Sequence, residues 1–253
     1  MKKKMLSILI LLIILPNFSL FANNNDSTIV NTKTIPVVEY TTSLKEFIVP
    51  VSLITAGVIA TSTNNNDIIS WDRSGKQYKD SSWEYVMFAG VAGSMFAFDT
   101  FIKAEHNAFD QSALLLLSAG LSAGSAYIIK ESYNSERPDG GLNSFPSGHT
   151  TVGFMVAHIL NKEFRNSNKW IAYGGYAIAS AVGISRIARN KHWVCDVLTG
   201  AGLGILGTEL AYLIYFPIRN KIANHINGKH TQNLTFMPSV SSESIGVNLS
   251  IRF

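Results

Sequence analysis

Three short groups of polar residues interrupt an otherwise apolar chain, and together they make up the parts of a phosphate site. Lys130 is followed by Arg137-Pro138, Pro146-Ser147-Gly148-His149 precedes an apolar stretch, and Ser185-Arg186 is followed by His192 and Asp196. His192 and Asp196 are four apart, so on a helix they share a face. The carboxylate can then accept from one imidazole nitrogen and leave the other with a free lone pair, which prepares a nucleophile or a base. Ser147-Gly148 at a helix start offers a hydroxyl and backbone N–H groups to an anion, helped by the helix dipole. Lys130 and Arg137 flank a loop holding Asn134, Asp139, Gly140 and Gly141, whose residue types let the chain turn both cations toward one point. Three strong cations, a helix N-terminus, two imidazoles and one carboxylate suit a tetrahedral oxyanion with a nucleophile on one side and a proton donor on the other. Phosphoryl transfer, whose catalysis is mostly positioning and charge stabilisation, needs little else. Guanidinium and ammonium groups take the place that a metal fills elsewhere, so no cofactor is expected.

These residues resemble the type-2 phosphatidic acid phosphatases, which share a helical core with vanadium haloperoxidases. The family pattern is Lys, six residues, Arg-Pro; Pro-Ser-Gly-His; then Ser-Arg, five residues, His, three residues, Asp. Each fixed position is matched, by Lys130, Arg137, Pro138, Pro146, Ser147, Gly148, His149, Ser185, Arg186, His192 and Asp196. The motifs cover 130–196, and with the surrounding helix order the likeness extends over roughly 46–216. The resemblance implies that His192 attacks phosphorus and becomes phosphorylated while Asp196 holds its ring. It also implies that His149 protonates the leaving oxygen and later activates water. Lys130, Arg137, Arg186, Ser147 and the Gly148 N–H would bind the non-bridging oxygens. The implied substrates are phosphorylated envelope lipids: lipid A, undecaprenyl pyrophosphate, phosphatidylglycerol phosphate or phosphatidic acid. A soluble periplasmic acid phosphatase of broad specificity, or a vanadium-dependent haloperoxidase, would use the same residues.

The elements that must position these groups are helices. Apolar stretches run over about 46–62, 84–103, 111–130, 149–163, 169–186 and 193–216, which predicts an all-α, six-helix core bundle within a domain at 43–218. Ser43 with Glu46 and Ser81 with Glu84 have capping-box spacing. Small residues crowd Ser118 to Ser125 and Gly200 to Gly204, as where helices approach closely inside a bilayer. Residues 63–80 and 131–147 read as loops. At the end, Ile245, Val247, Leu249, Ile251 and Phe253 alternate with small or polar residues. That spacing predicts a short β-hairpin at 230–253 with Leu234 and Phe236 on its partner strand. It also resembles the closing strand of an outer-membrane barrel, although one hairpin cannot close one.

Composition sets the compartment. Of 253 residues, 15% are charged and 47% hydrophobic, where a soluble domain is about a quarter charged. The mean hydropathy is +0.17 and the net charge +4 with a pI near 9.1. This balance suits an anionic partner. Lys and Arg are nevertheless dispersed, and no basic helix points to nucleic acid. Lys2, Lys3 and Lys4 before an apolar run from Met5 to Leu15, then Pro16 and Ala22, read as a signal peptide over 1–22, with a polar extended lead-in over 23–42. Cys195 is alone, so stability rests on burial. The expected setting is the inner membrane with the site on its periplasmic face, or the periplasm itself. If the signal is cleaved and all six stretches cross, the site faces the cytoplasm. Either one stretch fails to span, with Pro50 marking the first, or the bundle is exported whole. Arg189 and Lys191 are expected to be solvated charges, and Asp99 and Glu209, in otherwise apolar stretches, to pair with a lysine or lie exposed.

Overall fold

The computed structural model describes residues 43–62, 102–230, 233–240 and 245–252, with 36–38, 40, 90 and 93. The 63–80 loop, most of the 84–103 stretch, Ser81 with Glu84, Asp99 and the 1–22 signal fall outside them. The described domain is all-helical. After a 3-10 turn at Leu44–Phe47 come α1 (Ile48–Ser62), α2 (Ala108–Ser132), α3 (Gly148–Phe164), α4 (Lys169–Ala188) and α5 (Val194–His230). Two strands follow, β1 (Asn233–Val240) and β2 (Ile245–Arg252), which pair antiparallel with Asn233 opposite Arg252 and Val240 opposite Ile245.

The chain divides into two compact units, one built on Thr42–Tyr212 and the other on Asn25–Thr41 with Leu213–Phe253. In the first unit α3 is the central helix. Met155, Val156, Ile159, Leu160 and Phe164 are buried with Leu115 of α2 and Ala104. The chain before α2 is tied to the end of α3: Glu163 accepts from the His106 N–H at 3.1 Å and faces His106 Nδ1 at 3.0 Å. In the second unit Tyr40 stacks on Phe216 and Asn220 exchanges hydrogen bonds with the backbone of Val38, so this part of the lead-in lies on the later turns of α5.

Close approach of helix backbones depends on the small residues of α5. A Cβ on Gly200 would stand 2.6 Å from the Ser147 carbonyl oxygen, and one on Gly204 2.7 Å from the Met155 nitrogen, so α3 lies directly on this run. On another side, a Cβ on Gly202 would meet the Pro50 carbonyl oxygen at 2.7 Å, which seats α1. The run in α2 behaves differently: Ser118 and Ser122 face inward, and Ser122 donates to the Gly204 carbonyl, whereas Gly120 and Gly124 have open space.

Three described helices are long and apolar enough to cross a membrane: Leu44–Ser62, Ala108–Ser132 and Val194–Ile226. Two sequence expectations change here. Pro50 does not interrupt the first stretch: it sits in the opening turn of α1, where a proline is tolerated best, and the helix continues to Ser62. The stretches in α3 and α4 do not meet the length-and-hydropathy requirement. The expected capping box at Ser43 is half made. Ser43 accepts from the Lys45 N–H, but the Glu46 carboxylate leaves the cap for Lys162 and Arg165.

Candidate functional site

The three motifs meet at one end of the first unit, where α3 and α5 begin and α2 and α4 end. Lys130 and Arg186 lie in the last turns of α2 and α4, and Ser147-Gly148-His149 opens α3. Helix N-termini carry partial positive charge, so the α3 start and the two basic side chains favour the same anion.

Asp196 is the hub. Its Oδ2 faces Nδ1 of His192 at 3.4 Å and accepts the Trp193 N–H at 2.9 Å, while its carbonyl oxygen accepts the Ser147 N–H at 3.0 Å. One residue thereby joins the His192 motif to the Pro-Ser-Gly-His motif. The spacing argument needs a correction. His192 precedes α5 rather than sharing its face, and the contact works because Asp196 caps the helix start through Trp193, as a carboxylate in the first turn does. His192 is 3% exposed and Asp196 1%. Burial holds the His192 imidazole below its ordinary value of 6.5. Asp196 draws it upward, and the positive fields of Lys130 and Arg137 press it lower. The ring is thus kept neutral, with its lone pair available.

Ser147 occupies the helix cap position, but its side chain makes no capping hydrogen bond; instead its Oγ accepts from Thr150 Oγ1 at 2.9 Å. The hydroxyl proton is therefore not committed to the helix. Gly148 is the first helical residue, where the N–H has no intrahelical acceptor, and a Cβ added there would meet nothing within 4 Å. His149 follows, half-buried.

The 131–147 loop is held more firmly than its glycines suggest. Arg137 N–H donates to the Gly141 carbonyl at 2.7 Å around a turn where Gly140 has φ 81°, a conformation that suits glycine. Lys130 Nζ donates to the Asn143 carbonyl at 2.7 Å. Arg137 Nε is buried with no hydrogen-bond partner among the described residues. Arg186 is 2% exposed, and its carbonyl accepts the Lys191 N–H at 3.0 Å. Lys191 is not the solvated charge expected: its Nζ pairs with Asp139 at 2.9 Å and ties the two site loops together. Burial raises the Asp139 carboxyl, but the hydrogen bonds from Lys191 and the Gly141 N–H outweigh it and hold the group below its usual value. Trp193 Nε1 adds a second tie, to the Glu136 carbonyl at 2.8 Å.

Sequence reasoning missed Ser144. It is fully buried, its hydroxyl donates to Asp196 Oδ2, and its carbonyl lies 3.4 Å from Lys130 Nζ. Its place just before the Pro-Ser-Gly-His run is the only signal that could have found it. Tyr133 and Phe145 meet edge to face, and with Trp193 they wall a cavity of about 260 Å³ beside Asp196.

The PAP2 superfamily profile matches residues 127–219, which contain every site residue named above. Lipid A 1-phosphatase of Porphyromonas gingivalis is 44% identical over 99 residues, 39% of this chain and 22% of that protein. Lipid A 4'-phosphatase of the same organism is 29% identical over 82 residues, 32% of this chain and 34% of that one. A solved structure, the first transmembrane PAP2 type phosphatidylglycerolphosphate phosphatase from Bacillus subtilis, is 22% identical and covers 69% of this chain and 97% of its own, with a TM-score of 0.46. The chain thus spans between 22% and 34% of the length of the curated relatives it matches. The matched segment, residues 127–219, coincides with the helices and loops that build the site, and over that segment the chain is similar to the PAP2 superfamily.

Proposed function

We propose that the protein is a phosphatase that removes phosphate from phosphorylated lipids of a bacterial cell envelope through a phosphohistidine on His192. The observation that carries this reading is the double use of Asp196, whose carboxylate faces Nδ1 of His192 while its backbone holds Ser147 at the start of α3. Nε2 of His192 attacks phosphorus, and the P–O bond to the lipid breaks as His149 gives its proton to the leaving oxygen. His149 then takes a proton from water. The hydroxide attacks phosphorus, the P–N bond breaks, and inorganic phosphate leaves. Lys130, Arg137, Arg186, the Ser147 hydroxyl and the Gly148 N–H bind the non-bridging oxygens, charge stabilisation of the kind that dominates phosphoryl transfer.

The likeness to lipid A phosphatases and the three helices able to cross a bilayer favour a lipid phosphate over a soluble ester. Within this reading the 84–103 stretch supplies the sixth helix of the core, the signal at 1–22 directs export, the site faces the periplasm, and the 230–253 hairpin follows the catalytic domain. The test is phosphate release by the purified protein from lipid A, undecaprenyl pyrophosphate, phosphatidylglycerol phosphate and phosphatidic acid. At least one should be hydrolysed by the native protein and none by His192→Ala. Vanadate should inhibit and EDTA should not. Full activity of the variant refutes the phosphohistidine.

A further inference from the structure

At the end of the first unit opposite the phosphate site, α3 stops while α4 and α2 begin. Phe164 of α3 is sixteen residues beyond Gly148, about 24 Å at 1.5 Å per residue. Hydrogen bonds join the two segments found there. The Glu105 N–H donates to the Glu163 carbonyl at 2.9 Å, Asn166 Nδ2 to the Glu105 carboxylate at 3.1 Å, and the Ser167 hydroxyl to the Lys103 carbonyl. The charges inside are matched: Glu209 pairs with Lys162 at 2.8 Å and faces His158, and Glu46 pairs with Lys162 and Arg165. The outer surface is of another kind. Trp170 is 70% exposed and Tyr173 58%, yet the two rings meet edge to face with centroids 5.8 Å apart. Lys169 Nζ lies 5.9 Å from the Trp170 ring, and Phe109 in the first turn of α2 is exposed as well.

Tryptophan and tyrosine favour the boundary between lipid chains and headgroups, where the ring body is in an apolar layer and the N–H or O–H stays wet. A lysine beside them reaches outward with its ammonium. The helix faces that run from this cluster toward the phosphate site suit the layer between two such boundaries. On α2 the outward residues after Phe109 include Leu116, Gly120 and Ala123, and the face ends on the exposed Tyr127, eighteen residues and about 27 Å away. On α4 they include Gly174, Ala177, Ala181 and Ile184. The sequence carries no charge between Lys169 and Arg186, a rise of about 24 Å from Trp170. The hydrocarbon layer of a bilayer is about 30 Å thick. Glycines and tyrosines dilute the mean hydropathy of α4, but lipid meets only its outward face.

We propose that Trp170, Tyr173 and Lys169, with Phe109, form an interfacial anchor in the leaflet opposite the phosphate site. The rings lie at the level of the lipid carbonyl groups, the Lys169 ammonium meets lipid phosphates, and the outward face of α4 lies against the chains. Lys130, three residues beyond Tyr127, then stands at the headgroup level of the other leaflet, where the phosphate of a bilayer lipid is found.

The test places the full chain in vesicles of phosphatidylcholine and phosphatidylglycerol and follows tryptophan emission, the part due to Trp170 being the difference from Trp170→Phe. That part should be quenched about threefold more by lipids brominated next to the carbonyl than by lipids brominated at the chain end, and little by aqueous iodide. Leu116→Trp, seven residues and about 10 Å further along α2 than Phe109, should add emission with the reverse order of depth. Should Trp170→Phe fail to fold, the emission gained in Phe109→Trp carries the same comparison. Quenching of Trp170 by iodide and by neither lipid overturns the proposal. So does protection from all three quenchers, the result expected where a second protein molecule covers the rings, and so does one order of depth shared by Trp170 and Leu116→Trp. The readout is depth in the bilayer and needs no turnover, so it stands or falls apart from the phosphatase reading.

Discussion

The Ser144 hydroxyl donates to the same carboxylate oxygen of Asp196 that faces Nδ1 of His192. Ser144 thus positions Asp196 and, through it, the imidazole. A hydrogen bond to a charged group contributes about 1.5–3 kcal/mol. Ser144→Ala should therefore lower kcat by roughly ten- to a hundredfold with KM little changed, since its hydroxyl is taken up by Asp196. Ser144→Thr, which keeps the hydroxyl, should recover part of the rate. Steady-state kinetics on one lipid phosphate decide it, and a variant with native kcat shows that Asp196 is held without this bond.

The acid limb of the activity profile should report His192. With burial, Lys130 and Arg137 all depressing its pKa, the imidazole stays neutral to more acidic pH than a free histidine, so kcat/KM should fall only below about 6.5. The neighbours act with opposite signs. Arg137→Gln removes a positive field and should move the acid limb upward. Asp196→Asn removes the anion that favours the protonated ring and should move the limb of its residual activity downward. A pH profile of kcat/KM for the native protein and both variants measures this, and an Arg137→Gln limb that moves downward contradicts the assigned charges.

The site was legible in the sequence where chemistry and local spacing coincide. Lys130, Arg186 and Ser147-Gly148-His149 stand at helix ends because the apolar stretches stop there, and a helix end is readable from composition. Ser144 and Lys191 were not legible, since their partners Asp196 and Asp139 are each 52 residues away and the residues themselves are ordinary loop types. Glu46 was misread for the same reason: its spacing from Ser43 suits a cap, while a distant lysine, Lys162, takes the carboxylate. The small-residue run at 200–204 predicted close packing correctly. The one at 118–125 did so only for its serines, because on a single helix composition does not say which face meets a neighbour.

The Lys191–Asp139 pair should couple loop geometry to stability. Its side chains are only 11% and 6% exposed, so it is screened less than a surface pair. Lys191→Ala and Asp139→Asn should each lower the thermal midpoint and raise KM by loosening the loop that carries Arg137, and the double variant should lose less than the sum. The pH dependence follows from the depressed Asp139 carboxyl. Its contribution is complete above the unfolded value near 3.8 and disappears as pH falls through the lower folded value. Thermal unfolding of the four proteins from pH 7 down to acid checks both statements, and strict additivity of the two single changes removes the coupling.

Glycines in this protein divide by what stands opposite them, and alanine substitution should reveal the division. Gly204 faces the backbone of α3, with the Met155 nitrogen 2.7 Å from where a Cβ would lie, and backbone cannot move aside as a flexible side chain can. Gly204→Ala should destabilise by about 1–3 kcal/mol, the usual cost of overpacking. Gly200→Ala would press on the Ser147 carbonyl, 2.6 Å from the added carbon, and displace the start of α3, so activity should fall further than stability alone explains. Gly120 in α2 and Gly174 in α4 have open space and helical neighbours. Alanine there restricts the unfolded chain and removes a weak helix former, which should stabilise by about 0.5–1 kcal/mol with activity unchanged. Thermal midpoints in detergent, set beside turnover of a single lipid phosphate, separate the two groups. A Gly204→Ala protein as stable as Gly120→Ala would mean that α3 and α5 do not approach as closely as this packing requires.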